Sequence, residues 1–261
     1  MTIAGSDCSA GAGIQADLKT FQHFHVHGLT AVTCVVAETA NIVRAVQPLP
    51  PAIVVDQILL LLDSFPVAAI KTGMLCSAAL VHAVAEILQH HSSIPLVVDP
   101  VMIASTGTTL LEPAAIAAYR ECLFPMARVI TPNIPEAEAL LGEPIPDEAA
   151  LESAARQLAR QFDTAVLLKG GHLSGPVCLD LLVEHNVVYR FSENRLPVAG
   201  SHGTGCTLSA AITAALAHGK TLPQAVEQAK IYLSNTLRHS YEFPSPAGGS
   251  LHALNQGTTW H

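Results

Sequence analysis

Short runs of apolar and β-branched residues alternate along this chain with longer segments in which apolar positions recur at helical spacing. The short runs predict strands at residues 2–4, 29–37, 42–47, 68–71, 94–99, 128–131 and 165–169. The longer segments predict helices at residues 14–24, 52–62, 78–89, 113–122, 135–141, 148–162, 208–218 and 222–238. This alternation predicts an α/β fold with a mainly parallel central sheet and helices on both faces.

The late part of the chain departs from this alternation. Residues 177–183 and 187–191 predict two strands, and the residues between them have the composition of a hairpin turn. We therefore expect antiparallel strands at one edge of the sheet. With no repeat or linker evident, we expect one domain over residues 1–261, in which the Pro-, Gly- and Ser-rich residues 243–261 form a loop-rich tail.

Composition and charge narrow the classes of partner. Half of the residues are hydrophobic and 13% are charged, which excludes a disordered chain. The net charge is −8 and no basic run occurs, so nucleic acid is not an expected partner. No membrane span or signal peptide is evident, and the six cysteines lack metal-binding spacing. A reducing cytoplasm is the expected location.

A glycine-rich segment after the first strand is close to the dinucleotide-binding fingerprint. In that fingerprint the first glycine directly follows the strand. Here residues 6–10 intervene before Gly11, and Glu38 lies farther along the chain than the fingerprint's acidic residue. A loop that binds a small molecule is the better interpretation, with Asp17 pointing back to it from the first helix. The alternative is that Asp17 only compensates the helix dipole.

Side chains with oxygen donors follow two neighbouring strands of the predicted sheet. Asp99 ends one strand, and Asn133 and Glu136 follow the next. Because ligands collect at the carboxyl ends of parallel strands, these oxygens are placed to converge. Magnesium prefers oxygen ligands and usually binds together with substrate phosphates. Each residue also has a structural alternative, as a turn former, a helix N-cap or a first-turn acid.

Lys169 ends a further strand and is followed by Gly170 and Gly171. An ammonium at this position could contact the phosphates of a nucleotide. The alternative interpretation is an ordinary turn after a strand.

The stretch 200–207 reads Gly-Ser-His-Gly-Thr-Gly-Cys-Thr and joins an extended segment at 190–199 to a predicted helix. Its glycines allow successive N–H groups to point at one spot, and the helix N-terminus adds positive potential there. This pattern indicates an anion site, in which Cys206 on the first turn would be favoured as a thiolate. The alternative is a turn with no ligand.

Seven motifs together resemble the hydroxymethylpyrimidine/phosphomethylpyrimidine kinases, vitamin kinases of the ribokinase-like superfamily, and they occur in that family's order. The likeness extends from residue 2 to about residue 238. The motifs are AGSD at 4–7, GAGIQADLKT at 11–20, KTGML at 71–75, DPVM at 99–102, TPNIPE at 131–136, LKGGH at 168–172 and HGTGC at 202–206.

The resemblance implies a three-layer sandwich and a reaction. The reaction is the ATP- and Mg²⁺-dependent phosphorylation of 4-amino-5-hydroxymethyl-2-methylpyrimidine and then of its monophosphate, in thiamine biosynthesis, by an enzyme that is usually a homodimer. Cys206 would stand in the place of the catalytic base, and Lys169 would contact ATP phosphates. The implied anion hole is formed by Gly203, Thr204 and Gly205. The implied metal ligands are Asp99, Asn133 and Glu136. The implied pyrimidine pocket is lined by Gly5, Ala12, Asp17, Val36, Glu38 and Met74.

Three positions depart from the pattern of these kinases. The loop 9–11 reads Ser-Ala-Gly where relatives often have Ser-Gly-Gly. Ser105 stands close to where many relatives have a lysine, which bears on one cationic contact over the phosphates. Glu38 stands where the pyrimidine kinases commonly have Gln and pyridoxal-phosphorylating relatives have Met. Glu38 therefore bears directly on the choice of substrate.

Two rival functions remain on this scaffold. One is a pyridoxal or pyridoxine kinase, which Glu38 should separate from the pyrimidine kinase. The other is a catalytically silent vitamin sensor, which has no need to keep the complete set of transfer residues. The presence of Lys169, Asp99, Glu136 and Cys206 argues against the sensor.

Overall fold

The structure is a computed structural model that describes residues 1–102, 111–171, 173–196, 200, 202–246 and 248–257. Within these residues nine strands form a central sheet and two more form a small hairpin. The strands are β1 Thr2–Asp7, β2 Thr30–Thr39, β3 Ile42–Pro48, β4 Ile70–Thr72, β5 Leu96–Val98, β6 Val129–Ile130, β7 Ala165–Lys169, β8 Val177–Glu184, β9 Val187–Asn194, β10 Tyr241–Pro244 and β11 Ser250–Ala253.

Helices connect most of these strands, and local sequence signals begin several of them. The helices are α1 Gly13–His23, α2 Pro51–Ser64, α3 Ala78–Leu88, α4 Pro113–Ala118, α5 Ile134–Leu141, α6 Glu148–Phe162, α7 Thr204–Ala217 and α8 Leu222–Arg238. Ser77 and Asp147 cap α3 and α6 with their side chains, and α8 begins with a capping box between Thr221 and Gln224. Helix α4 continues into a π-helical turn at Tyr119–Leu123, so the predicted helix at 113–122 is correct in position.

The strand order is β3-β2-β1-β4-β5-β6-β7-β8-β9. Strands β2, β1 and β4 to β7 run parallel, which confirms the predicted sheet. Antiparallel strands occur at both edges rather than at one. The predicted hairpin β8–β9 turns at His185 and Asn186, whose φ values of 46° and 68° suit a two-residue turn. At the other edge β3 is antiparallel to β2, because a two-residue link is too short for a crossover.

The two faces of the sheet carry separate cores. In β5, Leu96 and Val98 pack with α2 to α6 on one face, while Val97 between them packs with α7 and α8 on the other. Helix α1 packs beside α7 through Phe21. Successive side chains of a strand point to opposite faces, so one apolar run serves both layers. The result is the expected three-layer arrangement.

Two sequence-based boundaries were wrong in ways that affect the site. Strand β1 extends to Asp7, beyond the predicted residues 2–4, because it pairs with β2 across a bulge between Ala4 and Ser6. In the described part of the expected loop-rich tail at 243–261, β11 and the end of β10 form a hairpin. The following Leu254 and Gln256 are 5% and 2% exposed.

No helix in the described part of the chain combines the length and the apolar character needed to cross a bilayer.

Candidate active site

Asp99 and Lys169 come together where the carboxyl ends of the parallel strands meet the first turn of α7. Asp99 follows β5 and is 2% exposed. Its carboxylate accepts hydrogen bonds from Lys169 Nζ at 3.2 Å and from Thr131 Oγ1 at 3.2 Å. A further hydrogen bond comes from Ser209 Oγ on α7, at 3.1 Å. We name the set formed by Asp99, Lys169, Thr131, Ser209 and Glu136 the Asp99 corner.

The ammonium of Lys169 remains charged in this corner. Burial alone would lower the pKa of Lys169, but Asp99 and Glu136 raise it above its usual value. A Cβ placed on Gly205 would lie 3.3 Å from Lys169 Nζ and 3.6 Å from Asp99 Oδ2. The ammonium therefore lies against the start of α7, where the backbone N–H groups and the helix dipole already favour an anion.

Asn133 and Glu136 form a capping box at the start of α5, as their structural alternative proposed. The side-chain oxygen of Asn133 accepts from Glu136 N at 2.9 Å, and Glu136 Oε2 accepts from Asn133 N at 2.8 Å. Glu136 Oε1 accepts from Met102 N at 3.1 Å. Burial raises the pKa of Glu136 and Asp99 adds to the shift, while Lys169 opposes it. Both carboxylate oxygens therefore already hold backbone groups in place.

Two glycine-rich loops touch at this point, and we name them the first loop (residues 8–13) and the anion loop (residues 202–206). Gly203, the N-cap of α7, has a φ of 79°, and a Cβ there would lie 1.9 Å from the carbonyl oxygen of Gly11. Gly13 has a φ of 59°, and its Cβ would lie 2.4 Å from the carbonyl oxygen of Gly5. Only glycine permits both the left-handed backbone and this close approach. The Gly203 N-cap offers no side-chain cap to the first turn of α7.

Cys206 is a thiol rather than the thiolate that the helix field led us to expect. Burial raises the pKa of Cys206 to about 11, and the negative charges of Asp17 and Asp99 act in the same direction. Lys71 and the N–H of Gly13 lower it, but they do not compensate. The prediction from the helix N-terminus was wrong because it counted the dipole and omitted the desolvation of the sulfur.

Asp17 is fully buried on α1, where its carboxylate accepts from Lys71 Nζ at 2.6 Å and from Thr2 Oγ1 at 2.6 Å. Its expected place in the pyrimidine pocket stays a prediction. It lies outside the first turn of α1, so the helix-dipole alternative was wrong. Asp17 raises the pKa of Lys71 above its usual value in spite of the burial of that ammonium. Lys71 belongs to a quoted motif, yet nothing in the sequence showed its partner.

A second cluster of charged groups lies beside the anion loop, and we name it the Asp7 corner. It consists of Asp7, Glu38 and His202, each of which offers an atom within 4.8 Å of the other two. His202 Nε2 lies 2.9 Å from Asp7 Oδ2. Asp7 also accepts hydrogen bonds from the backbone N–H groups of Gly11 and Ala12. The Asp7 carboxylate thus ties the first loop to the anion loop through His202.

The charges of the Asp7 corner depend on one another. Burial favours the neutral form of Asp7, but hydrogen bonds from His202 and from neighbouring N–H groups lower its pKa to about 2. Burial would lower the pKa of His202, whereas Asp7 and Glu38 raise it. Burial and Asp7 raise the pKa of Glu38, and His202 opposes them. These shifts favour a protonated His202 paired with Asp7, with Glu38 within 4.8 Å of both.

The remaining pocket residues lie at the ends of β1 and β2 or close to them. A Cβ on Gly5 would lie 2.6 Å from Cys34 Sγ and 3.9 Å from Val36 Cγ2, so β1 leaves room only for hydrogen at that point. The carbonyl of Met74 accepts from Thr33 Oγ1 at 2.6 Å, which holds the segment after β4 against β2. Gly5, Val36 and Met74 are therefore brought to one corner of the sheet, beside Glu38.

Arg44 on the neighbouring strand β3 forms no ion pair with Glu38 among the residues that the structure describes. The partners of Glu38 are instead in the Asp7 corner. Sequence reasoning missed His202 and Asp7 as functional side chains, although both stand in quoted motifs. Ser105 and His172 lie outside the described residues.

Comparisons with known proteins agree with this geometry. The model of the phosphomethylpyrimidine kinase family matches residues 7–249. The chain is 40% identical to the hydroxymethylpyrimidine/phosphomethylpyrimidine kinase of Haemophilus influenzae, over 97% of this chain and 95% of that protein. It is 42% identical to the thiamine biosynthesis bifunctional protein ThiED of Geobacter sulfurreducens, over 91% of this chain and 49% of that protein, so it spans about half of that relative.

Solved structures give the same result. The phosphomethylpyrimidine kinase of Clostridium difficile superimposes with a TM-score of 0.80 at 39% identity, covering 90% of this chain and 96% of the other. The pyridoxal kinase of Staphylococcus aureus in complex with ADP superimposes with a TM-score of 0.88 at 33% identity, covering 98% and 92%. The fold is that of the ribokinase-like small-molecule kinases, as predicted.

Within that class, the chain belongs to the phosphomethylpyrimidine kinase family. The family inferred from the motifs is thereby confirmed, and so is the prediction that the chain is a kinase.

Proposed function

We propose that this chain phosphorylates 4-amino-5-hydroxymethyl-2-methylpyrimidine with ATP and then phosphorylates the monophosphate to the diphosphate, in thiamine biosynthesis. Family membership and the names of its relatives support this function. The observation that carries it is the Lys169–Asp99 pair lying against Gly205 at the N-terminus of α7. That arrangement suits a transferring phosphoryl group, because such transfer depends mainly on positioning and charge stabilisation.

We propose roles for the chain's own residues at the phosphoryl group. The backbone of Gly203, Thr204 and Gly205 forms the anion hole, since the first turn of a helix directs its N–H groups outward. Lys169 contacts the phosphates of ATP, for which its retained charge is suited. Related solved structures are described as complexes with ADP and AMP-PCP, which supports ATP as the donor.

Magnesium is the metal that the donor set of the Asp99 corner fits. The donors are all oxygens, and two of them belong to buried carboxylates. Glu136 and Asn133 already hold backbone groups in the capping box, so we propose that they would hold the ion partly through water, together with Asp99. When bound, Mg²⁺ would neutralise charge on the phosphates.

Cys206 is proposed to receive the hydroxymethyl proton during the first transfer. The second transfer needs no such base, because a phosphate monoester has a second pKa of about 6 and is largely ionised at neutral pH. The resting thiol carries a proton, so this role requires that proton to leave for solvent when the substrates bind. Lys71 is the buried cation that favours its departure.

Glu38 is proposed to select the aminopyrimidine. An ionised glutamate has acceptors only, whereas a 4-aminopyrimidine offers an exocyclic N–H beside a ring nitrogen without a proton. Burial and Asp7 raise the pKa of Glu38, and the neighbouring His202 opposes this shift. We therefore propose that Glu38 and the ring nitrogen share one proton in a two-point pair, either with the ring nitrogen protonated and the carboxylate ionised or with Glu38 protonated and donating.

Pyridoxal phosphorylation is the second candidate function, because pyridoxal kinases are among the similar solved structures. A pyridoxine ring lacks the amidine edge, so it would leave the Glu38 carboxylate poorly paired. The deciding experiment offers hydroxymethylpyrimidine, its phosphate, pyridoxine and pyridoxal to the enzyme with Mg-ATP. We expect the highest kcat/KM for the two pyrimidines. A higher value for pyridoxine would overturn the substrate assignment, and no transfer to any of them would favour the sensor.

A homodimer is also proposed. Helix α2 and the adjoining strands β2 and β3 expose apolar side chains that nothing else in the described residues covers, namely Ile53, Leu59, Leu60, Val35 and Ile42. Apolar side chains gathered on one side of a domain favour burial against a second copy. Light scattering at micromolar concentration should give twice the chain mass, and Leu60→Glu should shift it to the monomer. A wild-type monomer would contradict this proposal.

The whole chain is further proposed to be one domain, because the sheet runs without interruption from β3 to β9. Calorimetry should therefore show a single unfolding transition, and two separate transitions would contradict this.

A further inference from the structure

The segment 254–257 follows the part of the chain that matches the family model, and it is anchored behind the two glycine-rich loops. Tyr232 OH on α8 donates to the carbonyl oxygen of Gln256 at 3.2 Å. His23 Nδ1 at the end of α1 lies 2.8 Å from the carbonyl oxygen of Gly257. Leu254 and Gln256 are almost fully buried. Two helices therefore hold this short segment in a fixed position.

The side chain of Gln256 reaches both loops. Its Nε2 donates to Thr207 Oγ1 at 3.1 Å and to the carbonyl oxygen of Gly11 at 3.4 Å. Thr207 follows Cys206 directly, and its N–H makes the first backbone hydrogen bond of α7 to Gly203. The Gly11 carbonyl is also the atom against which Gly203 packs. The buried amide of Gln256 thus joins the two loops at the point where they touch each other.

We propose that Gln256 is a positioning residue, which fixes the first loop against the first turn of α7 and so sets the geometry of the anion site. The consequence extends to Cys206, because the Gly13 N–H that lowers the pKa of its thiol belongs to the first loop. The kinetic part of this proposal rests on the phosphotransfer function, and the structural part does not.

The competing explanation is that Gln256 only fills space and stabilises the fold. Gln256→Leu separates the two, because leucine keeps the volume and removes the amide. The matched control is Gln57→Leu. Gln57 also joins two elements through its amide, with hydrogen bonds of 2.9 Å and 3.2 Å to the backbone of Val32 in the middle of β2. Both variants should lose some stability, so the melting temperature alone does not distinguish them.

Steady-state kinetics of the 261-residue chain provide the first test. For Gln256→Leu we expect kcat/KM to fall about tenfold, the scale of one or two buried hydrogen bonds, with kcat falling as well as KM rising. Gln57→Leu should keep wild-type kcat and KM. Wild-type kinetics in Gln256→Leu, or equal losses in the two variants, would overturn the proposal.

Gln256→Glu adds a readout that a space-filling role would not move. A protonated glutamic acid still donates to the Gly11 carbonyl, whereas a carboxylate repels it. The ratio of its kcat/KM to that of the wild type should therefore rise as the pH is lowered from 8 to 6. A ratio that does not change with pH would contradict the donor role.

Hydrogen exchange without substrate judges the structural part independently of activity. In Gln256→Leu the amides at 11–13 and 204–207 should exchange several-fold faster than in Gln57→Leu. Unchanged exchange would overturn the proposal even if the enzyme is an active kinase. Faster exchange in a protein without kinase activity would support the positioning role while rejecting the proposed function.

Discussion

The Asp99 corner and the Asp7 corner share one arrangement of charged groups but contain different cations. In each, a nearly fully buried aspartate at the carboxyl edge of the sheet holds a basic side chain next to the start of α7. In the Asp99 corner the cation is Lys169, whose pKa is raised from an already high value. In the Asp7 corner it is His202, whose pKa is raised from the neutral range.

This difference divides the site into a part with permanent charge and a part whose charge depends on pH. A lysine held by carboxylates stays protonated throughout the physiological range, which suits contact with phosphates. A histidine beside carboxylates loses its proton at a higher pH than a free histidine, and we propose that Glu38 beside it contacts the substrate ring. We therefore expect phosphate handling to be insensitive to pH and ring recognition to be sensitive to it.

The largest expected effect comes from removing the permanent charge of the Asp99 corner. Lys169→Met should lower kcat by about 10²–10³-fold for both transfers, the usual loss when one group that stabilises the transition state is removed. Arg128→Met is the control, because Arg128 also pairs with a carboxylate, that of Glu184, but precedes β6 at the opposite edge of the sheet. The control should keep its kcat. Steady-state assays at two pH values should give the same loss at both, and an active Lys169→Met variant would remove the assigned role.

Cys206 on the first turn of α7 allows the next test. Cys206→Ser should slow the first transfer by about 10–100-fold and the second by much less, because only the first requires a base. Cys178→Ser on β8 serves as the control and should leave both rates unchanged. Each transfer is measured separately with its own purified substrate. Equal losses in the two transfers would mean that Cys206 shapes the anion hole instead of taking a proton.

Glu136 tests whether the Asp99 corner combines a structural and a catalytic role. Glu136→Ala should lower kcat by about tenfold, less than Lys169→Met because it acts through water. It should also lose about 0.5–2 kcal/mol of stability, since it breaks the capping box of α5. Gln224→Ala breaks the other capping box, at the start of α8, and should lose stability alone. Thermal melts and assays together check this. A Glu136→Ala variant with full activity would show that Glu136 acts only as a helix cap.

The smallest effects concern the Asp7 corner and appear in pH profiles. Affinity for hydroxymethylpyrimidine should weaken several-fold between pH 7 and 9, as His202 and the bound ring nitrogen lose their protons. Glu38→Gln should retain activity and flatten this dependence. Calorimetric titration at several pH values measures it. A Glu38→Gln profile that parallels the wild type would contradict the proposed pairing of the ring with the carboxylate.

His202 also predicts a dependence of stability on pH. Its pKa is higher in the folded than in the unfolded state, so its contribution is complete below the unfolded pKa and is lost as the pH rises through the folded pKa. His202→Gln keeps a hydrogen-bond donor for Asp7 but does not titrate. The melting temperature of the wild type should therefore fall more than that of His202→Gln between pH 6 and 9. Parallel curves would show that the imidazolium adds no stability.

Sequence reasoning was accurate where the signal was local. Apolar periodicity placed the described α-helices and the parallel strands to within a few residues. The alternation of strand and helix patterns also predicts a layered fold. It also brought Asp99, Lys169 and Gly205 to one edge, because the rule for strand ends needs only the strand boundaries. It missed the hairpin β10–β11, whose two short strands are separated by Ser, Pro and Gly residues.

What sequence reasoning missed at the site has a common physical cause. The partner of Asp17, Lys71, is 54 positions away in the chain and meets it because β1 and β4 are neighbours. Cys206 was expected as a thiolate because the helix dipole is visible in the sequence, whereas the burial that raises its pKa to about 11 is not. Local patterns carry no information on desolvation or on which distant charge arrives nearby.

The amino-acid sequence by itself determined the layered α/β fold, the family and the set of residues that gather at the carboxyl edge, because hydrophobic periodicity and strand-end motifs are properties of neighbouring residues. Only the tertiary structure decided how these residues are used. It paired Asp17 with Lys71, set the imidazolium of His202 between Asp7 and Glu38, and placed Gln256 behind both loops. Electrostatic and hydrogen-bond partners are chosen by distance in space, and the chain brings them together only after it has folded.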